Sequence, residues 1–150
     1  MKRVLDMRIR EIEINDYDEM YRLWTRIPGI GLSSADSRSN IQKFLLRNKG
    51  LSFLCLEGEK LIGTVLCGHD GRRGYIYHVA VDEDYRGKGI GRALVEKSLN
   101  QLKTEGINKC HLFVLVDNSI GNSFWTSLGW TKREDIFVYS KANLINKLQY

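Results

Sequence analysis

The sequence predicts one mixed α/β domain over residues 1–150, with a mostly antiparallel sheet flanked by helices, and three observations carry that reading. Hydrophobic spacing alternates between a period near two and a period near 3.6 along the chain. Three apolar, β-branched or aromatic runs follow one another between residues 51 and 81, separated only by short turn signals, as in a meander. A glycine-rich segment then leads into an amphipathic stretch and a further apolar run, the order of a strand, helix, strand crossover.

Each element has its own warrant. In "MRIREIEI" Ile9 alternates with Arg10 and Ile12 with Glu13, so a half-buried strand is expected. Met20, Leu23, Trp24 and Ile27 then fall at helical spacing in "NDYDEMYRLWTRI", with Asp16 and Glu19 as an acidic cap. "PGIGLSS" ends that helix and holds the only proline. Ser39 and Gln42 have capping-box spacing ahead of Ile41, Phe44 and Leu45, which predicts a second short helix closed by Asn48 to Gly50. The runs "LSFLCLE", "KLIGTVLCG" and "GYIYHVAV" are the meander, with Gly58 and "HDGRR" as turns. Ile90, Leu94, Val95, Leu99 and Leu102 form one stripe of a helix stopping before Gly106. "KCHLFVLV" suits a strand buried on both faces, "NSIGNSFWTSL" a helix ended by Gly129, and "IFVYSK" a last strand.

Composition bounds the setting. At 150 residues and 43% apolar content the chain has enough for one core. Cys55, Cys67 and Cys110 are odd in number and lie in strand-like runs, so they are expected to be buried hydrophobes in a reducing compartment rather than a disulfide framework. "MKRVLDMRIREIEIND" lacks the apolar core of a signal peptide, and no segment approaches the ~20 apolar residues of a spanning helix, so a soluble cytoplasmic protein is expected. The net charge of +5 suits an anionic ligand, but basic residues are interspersed with acids. A small phosphorylated ligand is therefore expected in preference to nucleic acid.

The segment "VDEDYRGKGIG" is the most informative stretch. A helix start leaves backbone N–H groups without acceptors and carries about half a positive charge, so an anion is stabilised there. Gly87, Gly89 and Gly91 alternate with Lys88 and Ile90, allowing the main chain to wrap a diphosphate while Arg86, Lys88 and Arg92 supply charge. A dinucleotide fingerprint needs glycine at Arg92, and a Walker loop needs Ser or Thr after Gly87-Lys88; neither is present.

"VAVDEDYRGKGIGRALVEKSL" resembles motif A of the GNAT superfamily of N-acetyltransferases, with Arg86, Gly89 and Gly91 on its pattern. "VLVDNSIGNSFWTSLGW" is similar to a later segment of that family, with Asn118, Phe124, Trp125, Gly129 and Trp130 in the corresponding places. The resemblance implies a GNAT-type fold with a splayed central strand pair, acetyl-CoA as cosubstrate and an amine as acceptor. It implies that Val79, Ala80 and Val81 hold the pantetheine arm through their backbone, that the N–H around Val79 stabilises the oxyanion, and that Asn118 reaches the pantetheine amides. The plain alternative for Asn118 is a helix N-cap, and both roles are compatible.

Two departures from the family stand out. Trp125 occupies the place where many members have a general-acid tyrosine, and Tyr75 stands where some carry a carboxylate. An indole is a poor acid, so Trp125 is expected to wall the acyl pocket, and a thiol of pKa ~8.5 leaves with modest help. A lysine-like amine, pKa ~10.4, must instead lose a proton before it attacks. Alternation puts Tyr75, Tyr77 and Val79 on one face of the strand, where the tyrosines are expected either to pack as strand aromatics or, if that face borders the acceptor, to orient a relaying water, and Ile76, His78 and Ala80 on the other. His78 and His111, in apolar strands, are expected to be ordinary sheet histidines and not the base. Cys67, His69 and Asp70 lack a second half with ligand spacing, so no metal is expected.

These readings converge on acetyl transfer to a primary amine by direct attack in a ternary complex. The alternative is an acyl-CoA-binding regulatory module that has lost turnover. In such proteins the loop between the first two helices roofs the acceptor site; here it is "IPGIGLSSADS", whose Asp36 and hydroxyls are expected to meet an ammonium. A homodimer is compatible with a small domain that has sheet edges.

Overall fold

Residues 7–143 are described by the structure, a computed structural model, and the statements below concern them; residues 1–6, part of the segment read above for an export signal, lie outside. Strand β1 (Met7–Glu11) pairs antiparallel with β2 (Phe53–Glu57), β2 with β3 (Lys60–His69) and β3 with β4 (Gly74–Val81). The expected meander is thus present. Strand β5 (Cys110–His111) joins β4 in parallel and completes a five-stranded sheet in the order β1-β2-β3-β4-β5.

Helices cover both faces, and each face has its own core. Helix α1 (Tyr17–Arg26) and helix α2 (Arg38–Arg47) bury Met20, Leu23, Trp24 and Ile41 against Leu54, Leu56, Leu66 and Ala80. Each such side chain contributes about 1.5–3 kcal/mol on burial. Helix α3 (Ile90–Thr104) buries Ile90, Leu94, Val95 and Leu102 against Phe53, Cys55, Ile62, Val65 and Ile76 on the opposite face. Helix α4 (Ser119–Ser127) lies next to the start of α3, where Phe124 packs on that second core.

The helix starts differ in detail from the expectation. The first is preceded by a 3-10 turn at Ile14–Asp16, and the Asp16 carboxylate accepts from the Glu13 N–H (2.8 Å) as well as from both Arg10 terminal nitrogens (3.0 and 2.9 Å). Helix α2 is capped by Ser37, which accepts from the Asn40 N–H, and not by Ser39. Two candidate hydroxyls stand two residues apart, and backbone geometry selects the one whose own φ and ψ are extended.

Asp16 makes stability pH-dependent. Burial pushes its carboxyl up, but the hydrogen bonds from Arg10 and the Glu13 N–H outweigh burial and leave it below the usual carboxylate range. A depressed folded value gives stability that is present above the unfolded value, about 3.9, and is lost as pH falls through the folded one. In urea denaturation, the stability difference between the wild type and Asp16→Asn is expected to be full at pH 6 and to shrink below about pH 4.

The C-terminal third corrects two expectations. The run 109–116 forms only the two-residue β5, and 136–141 forms no strand. A strand buried on both faces needs cover on each, and no segment pairs with the outer edge of β5 among the described residues. Phe113, Leu115 and Val116 are 62%, 57% and 99% exposed, and Phe137 and Tyr139 88% and 92%. The β4–β5 pair therefore splays at the sheet edge.

Candidate active site

The site begins with a phase slip in β4. Tyr77 pairs with Leu66 and Ala80 with Thr64, so His78 and Val79 together stand opposite Val65, a β-bulge. Its effect is a change of faces. Ile76, Val79 and Val81 pack on the α3 side, whereas Tyr77 meets Phe44 of α2 (ring centroids 6.2 Å apart), His78 meets Trp24 of α1 (4.7 Å) and Ala80 joins the α1–α2 core. The expected alternation, with Tyr77 and Val79 together and His78 opposite, does not hold, because the extra residue reverses the order at that point.

Beyond Tyr75, β4 has no partner on its β5 side among the described residues. The resulting groove has a volume of about 720 Å³, within the range of small-molecule sites. Tyr77, His78, Val79 and Val81 line its floor; Asn118, Gly121, Phe124 and Trp125 of α4 form one wall; and Pro28 to Gly31, after α1, form the other. The walls nearly touch: a Cβ placed on Gly29 would lie 2.5 Å from Asn118 Nδ2.

At the far end, the chain turns into α3. A single 3-10 turn at Glu83–Tyr85 precedes Gly87 and Gly89, both with positive φ (77° and 81°), and Gly89 is the N-cap of α3. The first intrahelical bond runs from Ala93 N to Gly89 O (3.0 Å). The backbone N–H groups of residues 87–92 have no acceptor among the described residues. Orphan donors at the positive end of a fifteen-residue helix, with Arg86 and Arg92 lining the same groove, suit a diphosphate. Gly91 allows close packing, since a Cβ there would lie 3.1 Å from Phe124 Cζ.

The remaining expected site residues divide by position. Ile90, Asn118 and Trp125 line the groove; Asn118 also caps α4, its Oδ1 accepting from Gly121 N at 2.9 Å. Trp125 packs edge-on against Phe124 and Trp130 at 4.9 and 5.0 Å. Lys88 is exposed outside the groove lining, Ala80 is buried in the α1–α2 core, and Tyr75 stacks with Phe113 at 6.4 Å and tilts against His111 at 5.8 Å. Burial pushes the Tyr77 phenol above its ordinary value, so it stays protonated and available as a donor.

Asp36 does not stand open to an ammonium. It is 7% exposed, its Oδ2 accepts from Ser33 N (3.0 Å) and its Oδ1 lies 2.6 Å from His78 Nε2. The signal for this was present, because Ser33 and Asp36 have capping-box spacing. His69 bonds to Glu105 (2.8 Å), and Asp70 accepts from Arg72 N and Arg73 N in the hairpin turn. Cys67 and Cys110 are pushed up to about 12 and about 11 by burial, which leaves them poor nucleophiles.

Comparison with known proteins gives one consistent result. The model of the acetyltransferase (GNAT) family matches residues 17–130. Acetyltransferase SG1711 of Sodalis glossinidius is 28% identical over 144 residues, covering 96% of this chain and 100% of that protein. N-alpha-acetyltransferase 30 of Schizosaccharomyces pombe is 32% identical over 113 residues, 72% of this chain and 75% of that protein. Among solved structures, the PaiA N-acetyltransferase of Thermoplasma acidophilum in complex with coenzyme A superimposes with a TM-score of 0.68 at 20% identity, covering 81% of this chain and 87% of that one.

Proposed function

The chain belongs to the acetyltransferase (GNAT) family, and from that premise we propose that it transfers the acetyl group of acetyl-CoA to a primary amine by direct attack in a ternary complex. The observation that carries this is the row of N–H groups from 87 to 92 without an acceptor among the described residues, at one end of a groove of about 720 Å³. Bound there, acetyl-CoA supplies the activated acyl group. Arg86, Gly87, Gly89, Ile90, Gly91 and Arg92 hold the diphosphate, with Lys88 adding long-range charge. The main chain of Val79 and Val81 faces the arm, and Asn118 reaches its amides while keeping its cap.

Polarity then falls to the bulge. The Val79 N–H serves the carbonyl oxygen that gains charge as the amine attacks. Tyr77, protonated, orients the acceptor or a water at the mouth. Trp125 walls the acyl pocket and excludes water, and the thiolate needs no strong acid to leave. The lack of an ionisable cysteine in the groove supports transfer without an acyl-enzyme. Three free cysteines, Cys55 and Cys67 buried and Cys110 half-buried, also agree with a reducing cytoplasm. Residues outside the groove, Tyr75 and Ala80, serve the floor by packing.

The test is thiol release from acetyl-CoA in the presence of polyamines, amino acids, aminoglycosides and lysine- or amino-terminal peptides, with calorimetry of coenzyme A alongside. Amine-dependent release well above hydrolysis is the expected result. Tight binding of coenzyme A without release by any amine would favour a regulatory module instead.

A further inference from the structure

Strand β4 contains one residue more than its ladder requires. If His78 is left out of the order, Ile76, Tyr77, Val79, Ala80 and Val81 alternate faces without a break, so His78 is the inserted residue. It is also the one described non-glycine residue with positive φ, 48°, a conformation that persists only where surroundings hold it. Those surroundings are specific. Thr64 Oγ1 donates to the His78 carbonyl (3.0 Å) while accepting from Trp24 Nε1 (2.9 Å), and the Trp24 ring stands edge-on to the imidazole. Asp36 Oδ1 takes Nε2 at 2.6 Å, and Tyr17 OH donates to the Asp36 carbonyl at 2.6 Å.

The tautomer follows from this geometry. An ionised carboxylate only accepts, so the proton of a neutral imidazole lies on Nε2 and Nδ1 carries the lone pair. Nδ1 has no protein partner among the described residues, and no buried side-chain nitrogen there lacks one; Nδ1 therefore meets solvent, and His78 is one of the residues that line the groove, next to Val79. Of the charged and titratable groups around it, Asp36 bonds to the ring, Tyr17 bonds to Asp36, Tyr77 is the chain neighbour, and Tyr85, Arg86 and Arg92 share the groove.

We propose that His78 Nδ1 accepts the proton of the attacking amine, with Asp36 as its positioning residue; this rests on the acetyl-transfer reading above. The amine lone pair forms the N–C bond to the acetyl carbon, the C–S bond breaks and its electron pair leaves on sulfur. The nitrogen proton passes to Nδ1 and then to the thiolate or to water, which restores the neutral ring. An acceptor that reaches the groove as ammonium first gives one proton to solvent, since only the neutral amine has a lone pair; the proton that Nδ1 takes is the second, lost as the N–C bond forms.

The first measurement needs no acceptor. Long-range nitrogen–proton spectra of the wild type, with the His78 signal assigned by its loss in His78→Asn, are expected to show the Nε2–H tautomer; a proton on Nδ1 overturns the proposal. Asparagine is chosen because it tolerates left-handed backbone. With the panel amine that releases thiol fastest, His78→Asn is expected to lose roughly 100-fold or more in kcat, as for removal of a general base, with coenzyme A affinity within twofold by calorimetry. The limb on which kcat rises with pH is expected to disappear. Asp36→Asn, whose amide no longer requires a proton on Nε2, is expected to mix the two tautomers in the same spectra and to lower kcat. Retention of kcat and of that limb in His78→Asn overturns the assignment even when transfer itself is confirmed. Absence of coenzyme A binding in the wild type defeats instead the transfer reading on which it rests.

Discussion

Gly89→Asp is expected to abolish measurable coenzyme A binding while the protein still unfolds in one cooperative transition. A Cβ at Gly89 meets no atom within 4 Å, so the substitution clashes with nothing in the protein. The φ of 81° imposes backbone strain of about 1 kcal/mol on a non-glycine residue, small against a typical domain stability. What changes is the charge. A carboxylate placed among the N–H groups of residues 87–92 occupies the position of a phosphate and accepts the bonds meant for it. Gly89→Ala carries the same strain without the charge and is expected to retain weakened binding. Unchanged calorimetric affinity in Gly89→Asp would remove the diphosphate from this turn.

Leu94→Ala is expected to give the largest loss of stability, about 2–5 kcal/mol, because a fully buried leucine leaves both its transfer energy and a cavity behind. Leu94 is 0% exposed, and its Cδ1 lies 3.1 Å from the point where a Cβ on Gly63 would sit, so α3 rests directly on the middle of β3. A relaxed collapse is hindered there by the sheet backbone. For a domain of this size the melting temperature is expected to fall by roughly 10 °C. A loss below 1 kcal/mol would mean that α3 does not dock as described. The pair of variants separates two roles of one helix: its first residues bind, and its second turn holds the sheet.

Elements defined by composition were legible in the sequence. The helix stripe from Ile90 to Leu102, the meander between residues 51 and 81 and the glycine turn all appear where spacing and turn residues placed them. The failures share a cause: they depend on partners that spacing does not contain. "KCHLFVLV" has the composition of a doubly covered strand, yet its cover depends on a distant segment, and none pairs with it among the described residues. The bulge leaves no mark in composition, because Tyr77 and His78 are both amphipathic and either face accepts them. Strict alternation therefore grouped Tyr77 with Val79 and Ile76 with Ala80, pairs that the bulge sets on opposite faces. Asp36 was misread for the converse reason, since a loop carboxylate reads as solvent-facing until the Ser33 spacing is taken as a cap.

Between the paired positions Tyr77 and Ala80, the strand leading to the glycine turn holds one residue more than β3 does between Leu66 and Thr64. A shorter strand without that residue would form an unbroken ladder and relieve a left-handed backbone, so this stretch stands below the stability its composition permits. Shortening the strand would also draw the turn about 3.3 Å closer to the middle of the sheet, the rise of one strand residue. The spare residue thus acts as a spacer, which sets how deep a phosphate-anchored chain reaches before its reactive end meets the opening between the strands.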